Sequence, residues 1–332
     1  MTALMPHGEL GSEQIVGLME NNIELRADRY KELVGNRPAL MIVSANPDHG
    51  PSTTYMGLKQ RVGRRLGVAV EAYTFSSIYN MIDFIQVGNA DPDMNGIIVQ
   101  LPLQEDVAPL TDPVLEAVSL EKDVDGLVPG SPFIPATVRA TEAWLAHYGY
   151  ECIDEKVVLV GLGKLVGEPL LRSLLSRGAQ AVQAFDKSSL PQDLSQALNK
   201  ADVIVSATGH PGLLTRRPFL LDTAPKVLVD VGTAEQSGAQ QGDVSDELRE
   251  YALARGWALT PKKGGIGPLT VRALFANLMD AAETQVGITE PINAYRLNQS
   301  LQATSANRAP DLFTEEQDRF ADPYAEEDSI LG

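Results

Sequence analysis

Apolar residues recur along the first half of the chain in two alternating rhythms. Over residues 12–34 they fall at helical spacing (Ile15, Leu18, Met19, Ile23 and Leu25), which predicts an amphipathic helix. The run Pro38-Ala-Leu-Met-Ile-Val43 is too short for a helix and reads as a buried strand. Asn46-Pro-Asp-His-Gly-Pro51 is punctuated as a loop, with Ser52 expected to cap a helix reaching about Leu66. A strand over 68–73, a helix over 78–88 and a strand over 96–101 follow, the last ending at Pro102. After a helix over 135–148 the rhythm restarts. Strands are expected at 157–160, 181–185, 202–206 and 227–230, with helices at 169–177 and 270–284. Repeated βα units imply parallel sheets covered by helices. The fold class is therefore α/β with two domains: an N-terminal α/β substrate domain and a C-terminal Rossmann-like, doubly wound parallel sheet.

The expected boundaries are residues 1–135 for the first domain, joined by a C-terminal helix at about 286–300, and 136–285 for the second. A chain of 332 residues is of the length that divides into two domains. Residues 306–332 carry eight acidic residues against two arginines, with two prolines; such a segment buries too little apolar surface to offset its ordering entropy and is expected to be disordered. A partner-binding peptide around Leu312-Phe313 is the competing reading. The net charge of −17 argues against nucleic acid and anionic membranes as partners. The first 20 residues lack a signal-peptide layout, and no apolar run reaches the roughly 18 residues of a membrane span. Cys152 is the single cysteine, read as a small buried hydrophobe, and its isolation fits a reducing cytoplasm. No histidine has metal-ligand spacing; His49 and His210 lie in loops, where solvent exposure is the simpler reading than a ligand contact. No metal site is expected.

Gly161-x-Gly163-x-x-x-Gly167 follows a strand and opens a helix, the context of a dinucleotide site. There the free amides and dipole of a helix N-terminus hold a pyrophosphate. The spacing is one residue longer than the common form, so the pattern alone is moderately specific. Asp186 closes the next strand, where a carboxylate accepts from the ribose hydroxyls and repels a 2′-phosphate. Both features favour NAD over NADP. The plain alternative for Asp186 is a solvated loop carboxylate beside Lys187.

Five ordered blocks resemble the bifunctional methylenetetrahydrofolate dehydrogenase/cyclohydrolases. They are Ser52-Thr-Thr-Tyr55-Met-Gly-Leu-Lys59, Gly96-Ile-Ile-Val-Gln100-Leu-Pro-Leu103, Lys122-Asp-Val-Asp125-Gly126, Val166-Gly-Glu-Pro169 and Gly264-Gly-Ile-Gly-Pro-Leu-Thr270. The resemblance implies oxidation of 5,10-methylenetetrahydrofolate with NAD(P), then hydrolysis of the methenyl product to 10-formyltetrahydrofolate. It assigns Lys59, Tyr55, Gln100 and Asp125 to catalysis. Tyr55 would stack on the folate, Lys59 would serve the water-dependent step, Gln100 would hold Lys59, and Asp125 would accept from the pterin edge. Tyr55 and Lys59, four apart, share a helix face. Substrate contacts are expected from Tyr55, Gln100, Pro102, Asp123, Asp125, Gly265, Pro268 and Thr270, with Asp123 ranked below Asp125 because it suits loop capping equally well. Cofactor contacts are expected from Gly161, Gly163, Lys164, Val166, Gly167, Asp186, Thr208, Gly209, Gly232, Thr233 and Gly265. A homodimer through the cofactor domain is also implied.

The sequence departs from that family in places. Gly161-Leu162-Gly163 stands where many members have G-R-S, whose Arg helps hold the NADP 2′-phosphate. Pro261-Lys262-Lys263-Gly264-Gly265 replaces P-V-P-G-G, and the lysines are read either as solvated or as facing the cofactor pyrophosphate or folate glutamate. Ile134-Pro-Ala-Thr-Val138 lacks a usual glycine. Two other readings therefore stay open. One is a dehydrogenase without the hydrolytic step or with another small substrate; the other is a non-catalytic nucleotide-sensing interaction protein.

Overall fold

The structure is a computed structural model that describes residues 6–46, 50–104, 106–219, 224, 226–236 and 239–288. The acidic segment 306–332, His49 and most of the expected helix at 286–300 lie outside the described residues.

In chain order the elements are β1 (Gly8–Glu9), α1 (Glu13–Val34), β2 (Ala39–Ser44), α2 (Gly50–Arg65), β3 (Ala69–Thr74), α3 (Ile78–Ala90), β4 (Gly96–Val99), α4 (Thr111–Glu116) and α5 (Ala136–His147). They continue with β5 (Lys156–Val160), α6 (Gly167–Ser176), β6 (Ala181–Phe185), α7 (Pro191–Lys200), β7 (Val203–Ser206), β8 (Val227–Asp230), β9 (Thr233–Gln236), β10 (Ala239–Gly242), α8 (Asp246–Ala254), β11 (Ala258–Leu259) and α9 (Ile266–Gln285). Three parallel strands in the order β3-β2-β4 form the smaller sheet. Six parallel strands in the order β1-β11-β8-β7-β5-β6 form the larger one. β9 and β10 make a separate antiparallel hairpin.

The buried strands are apolar along their whole length: every residue of β4 and of β7 is buried, as parallel strands covered on both faces require. Between the sheets lies α9, whose residues from Leu269 to Glu283 are almost all buried, and which packs on α1, α2 and α5. Its buried face and the stripe Ile15, Val16, Ile23, Ala27 and Tyr30 of α1 belong to one core. A second core covers the other face of the small sheet, and a third the other face of the large one. Cys152 is buried, and that burial pushes its thiol up to about 12. Among the described residues no helix is long and apolar enough to cross a membrane.

Several elements differ from expectation. Leu25 is 72% exposed, because it falls off the stripe that Ile15, Ile23 and Tyr30 define. α2 begins at Gly50, so Ser52 lies in its first turn instead of ahead of it. α6 and α9 begin at Gly167 and Ile266, earlier than the expected Pro169 and Thr270. Residues 8–9, grouped by sequence with the first domain, pair with β11 at the edge of the large sheet.

Candidate functional site

Ligand sites of parallel α/β sheets collect beyond the C-terminal ends of the strands. Gln100 follows β4 there, held by its backbone N–H donating to Val43 O at 2.8 Å. Its side chain is 8% exposed and engaged at both ends. Nε2 donates to Leu101 O at 2.8 Å, and Oε1 accepts from Lys59 Nζ at 2.8 Å. The carboxamide thus cannot turn without breaking a bond, and it pins the amine. Lys59 and the half-buried Tyr55 lie one turn apart on α2. Leu101–Pro102 is a cis peptide bond, and Pro102 O accepts from Asn46 Nδ2 at 3.4 Å.

The Asp125 carboxylate completes this cluster. Burial lowers the pKa of Lys59, and the charge of Asp125 partly opposes that drop. Burial likewise raises the pKa of Asp125, opposed by Lys59. Both groups are therefore drawn toward their neutral forms, the poise a proton-transferring amine needs.

The neighbouring residues of that block do different work. Asp123 is 3% exposed and accepts from Val128 N at 2.8 Å and Leu127 N at 3.3 Å, the loop-capping geometry. Desolvation raises its pKa to about 6 despite those bonds. Lys122 donates to Gly88 O at 2.9 Å and Asp91 O at 2.5 Å, neutralising the carbonyl end of α3.

The second cluster rims the large sheet. Gly161 follows β5 with φ +99°, a left-handed conformation. A Cβ on Gly167 would lie 2.0 Å from Gly161 O, so only glycine lets α6 start against this turn. A Cβ on Gly163 would meet nothing within 4 Å, so the outer side of the turn is open to a ligand. Val166 caps α6, whose N-terminus presents its amides and positive dipole there. These features fit a dinucleotide pyrophosphate. Lys164 reaches from the turn to Asp112 of α4, 3.0 Å away, which brings the glycine turn to the same side of the molecule as the segment following Gln100.

Asp186 immediately follows β6 and is exposed. Its Oδ1 accepts from Ser188 N at 2.9 Å, Ser188 Oγ at 2.7 Å and Ser189 Oγ at 3.2 Å. Those bonds, the Ser188 hydroxyl first, hold its pKa below the usual carboxylate value. Thr208 and Gly209 follow β7, Gly232 lies between β8 and β9, and Thr233 is the first residue of β9.

Gly264 O accepts from Ser12 N at 3.1 Å and Ser12 Oγ at 2.8 Å, which fixes the segment leading through Gly265 into α9, with Pro268 in the first turn of that helix. Thr270 Oγ1 donates back to Ile266 O of its own helix at 3.2 Å. Lys262 forms an ion pair with Asp246 at the start of α8, and both side chains are exposed. His210 is exposed, its Nδ1 2.8 Å from Thr208 O. Among the described residues no three His, Cys, Asp or Glu side chains converge as a metal site.

Three side chains that hold site loops carry no sequence signal of their own. Asp243, fully buried, accepts from Ser206 Oγ at 2.8 Å, Thr208 N at 2.6 Å and His210 N at 3.0 Å. Asp230 in turn accepts from Asp243 N at 2.9 Å and pairs with Arg249 at 2.7 Å. Asn277 of α9 donates to the backbone on both sides of the Asp125 loop.

Comparison with known proteins agrees with this arrangement. The model of the tetrahydrofolate dehydrogenase/cyclohydrolase catalytic domain matches residues 10–125, and that of the NAD(P)-binding domain matches residues 135–286. The bifunctional protein FolD of Thermus thermophilus is 36% identical over 257 residues, covering 74% of this chain and 86% of that protein. Bifunctional protein FolD 2 of Lactobacillus johnsonii is 30% identical over 282 residues, 81% and 94% of the two chains. Among solved structures, the bifunctional FolD of Campylobacter jejuni superposes with a TM-score of 0.75 at 25% identity, over 83% of this chain and 99% of that one. The bifunctional enzyme of Thermoplasma acidophilum gives 0.72 at 26% identity, over 84% and 100%. With both domain models matched in order across most of its length, the chain belongs to the tetrahydrofolate dehydrogenase/cyclohydrolase family.

Proposed function

We propose that the protein oxidises 5,10-methylenetetrahydrofolate and then hydrolyses the methenyl product to 10-formyltetrahydrofolate. Family membership supports both activities, and the Lys59–Gln100 hydrogen bond beside Asp125 is the observation that carries the hydrolytic one. The bound nicotinamide supplies the hydride acceptor for the first step. For the second, Lys59 in its neutral form accepts a proton from the attacking water, and a neutral amine also avoids repelling the cationic methenyl substrate. Gln100 keeps the amine aimed, Tyr55 stacks on the flat ring system, and Asp125 accepts from the pterin edge. Pro102, Asp123, Gly265, Pro268 and Thr270 shape the folate side of the site. The glycine turn with Lys164, Val166, Thr208, Gly209, Gly232 and Thr233 receives the dinucleotide. A dehydrogenase-only or non-catalytic role is less well supported, because all four residues of the proposed hydrolytic site are in place.

The preferred cofactor in this reading is NAD. Asp186 stays ionised at neutral pH where a 2′-phosphate would lie, and position 162 offers leucine in place of a cation. Assembly as a homodimer goes with the family resemblance, and light scattering reads it. The deciding measurement is absorbance-monitored turnover of 5,10-methylenetetrahydrofolate with each cofactor. Reduced nicotinamide should form with a higher kcat/KM for NAD, and the methenyl band should rise and then decay. No turnover with either cofactor would refute the assignment; a preference for NADP would refute the role given to Asp186.

A further inference from the structure

Asn277 lies in the middle of α9, far in sequence from the proposed folate site, and is 1% exposed. Its carboxamide is spent on one task. Nδ2 donates to Val124 O at 2.9 Å and to Ile134 O at 2.8 Å, and Oδ1 accepts from Arg139 Nη1 at 2.5 Å. Val124 immediately precedes Asp125, and Ile134 stands where the loop after Asp125 returns to α5. The return is tight: a Cβ on Gly126, at φ +72°, would come within 2.8 Å of Phe133 O and Pro135 N. Asp125 O itself accepts from Ala136 N at 3.3 Å, at the start of α5. The peptide planes on both sides of Asp125 are therefore tied, one by Asn277 and the other by α5. Arg139 also binds Asp280 Oδ2 at 2.7 Å, which keeps the amide of Asn277 from flipping.

We propose that Asn277 is a positioning residue for the folate site, fixing the loop that aims Asp125 at the substrate and at Lys59. The proposal rests on the reading of Asp125 as a substrate contact. A carboxylate on a loop free to rotate would spend binding energy on ordering itself, so loss of the two donated bonds should weaken folate binding more than cofactor binding. It should also move Asp125 away from Lys59 and so weaken the charge that opposes the burial of that amine.

The test is a double-mutant cycle on the full-length chain, with Asn277→Ser measured alone and in the Asp125→Asn background. Alone, it should raise KM for methylenetetrahydrofolate about tenfold and leave KM for NAD within about twofold; in the Asp125→Asn background it should add less than about twofold, the non-additivity of residues acting as a unit. The acid limb of the cyclohydrolase pH profile should move to lower pH, in the same direction as in Asp125→Asn. A merely structural lesion would reduce amplitude without moving that limb. Full additivity, or an unmoved limb with unchanged folate KM, overturns the proposal. If Asp125→Asn alone changes neither folate KM nor either activity, the reading of Asp125 fails, and the positioning role with it. Should Asn277→Ser not yield folded protein, Asn277→Leu keeps the approximate volume without burying a charge and loses the two donors together with the Arg139 contact, Arg139 retaining Asp280; the same cycle with the same outcomes decides.

Discussion

Lys59 faces two opposing demands. A buried ammonium is costly, which favours the neutral amine, yet the amine must stay aimed without a charge partner strong enough to protonate it permanently. Gln100 resolves this by accepting a hydrogen bond from either protonation state. Lys59→Met keeps the apolar stem and removes the proposed proton carrier. It should reduce cyclohydrolase activity at least about 100-fold, while circular dichroism and the melting temperature show the fold unchanged. Asp123 meets burial differently, and pH reads the difference. Its folded pKa of about 6 lies above the ordinary carboxylate value of 3.8, so between the two the folded state binds more protons. Stability from this group is full below pH 4 and is lost as pH rises through about 6. Asp123→Asn removes the titration. The melting temperature of wild type relative to Asp123→Asn should therefore fall between pH 4 and pH 7, and a flat difference would contradict the shift.

At the scale of elements, periodicity made the long helices and the buried strands legible, because a strand such as Gly96–Val99 or a pair such as Ile15 and Ile23 on one helix face carries its burial in its own residues. The two-residue strands β1 and β11 were not legible, since each exists only through the strand beside it. Helix starts were also misplaced, since at Gly167 the chain's close approach to Gly161 O sets the start and no local propensity records it. The site divides the same way. Lys59, Gln100 and Asp125 came from recognisable blocks, whereas Asn277 and Asp243 act on partners distant in sequence. The glycine turn gives the prediction at this scale. Gly167→Ala forces a methyl group to 2.0 Å from Gly161 O, so the turn must open and α6 must retreat. Titration of nicotinamide fluorescence should show binding of the reduced nicotinamide cofactor weakened at least about tenfold, more than 1.4 kcal/mol. Gly163→Ala, whose added methyl meets no protein atom within 4 Å, should fold normally and lose affinity only by occupying the ligand's space.

For the molecule as a whole, α9 is the element on which the rest is hung, and buried charge marks where. Arg26 of α1 is 2% exposed; its guanidinium grips Glu283 with Nε at 3.0 Å and Nη2 at 2.6 Å, and Nη2 also meets Asp280 at 2.7 Å. Asp280 extends the link to Arg139 of α5 at 2.7 Å. One network thus ties α1, α9 and α5, the helices between the two sheets. Its worth depends on what is removed. Arg26→Met strands the Glu283 carboxylate, whose side chain is 5% exposed, with no counter-charge. Breaking a buried pair on one side costs roughly 3–5 kcal/mol. In a chain of this size that is a fall of roughly 4–7 °C in melting temperature. Asp280 suffers less, because Arg139 still holds its other oxygen. Arg26→Met combined with Glu283→Leu removes both buried charges and refills the space with apolar atoms, and most of the lost stability should return, as it does when a desolvated pair is replaced as a unit. A double variant no more stable than Arg26→Met alone would mean that the network's geometry, and not the stranded charge, holds α9 in place.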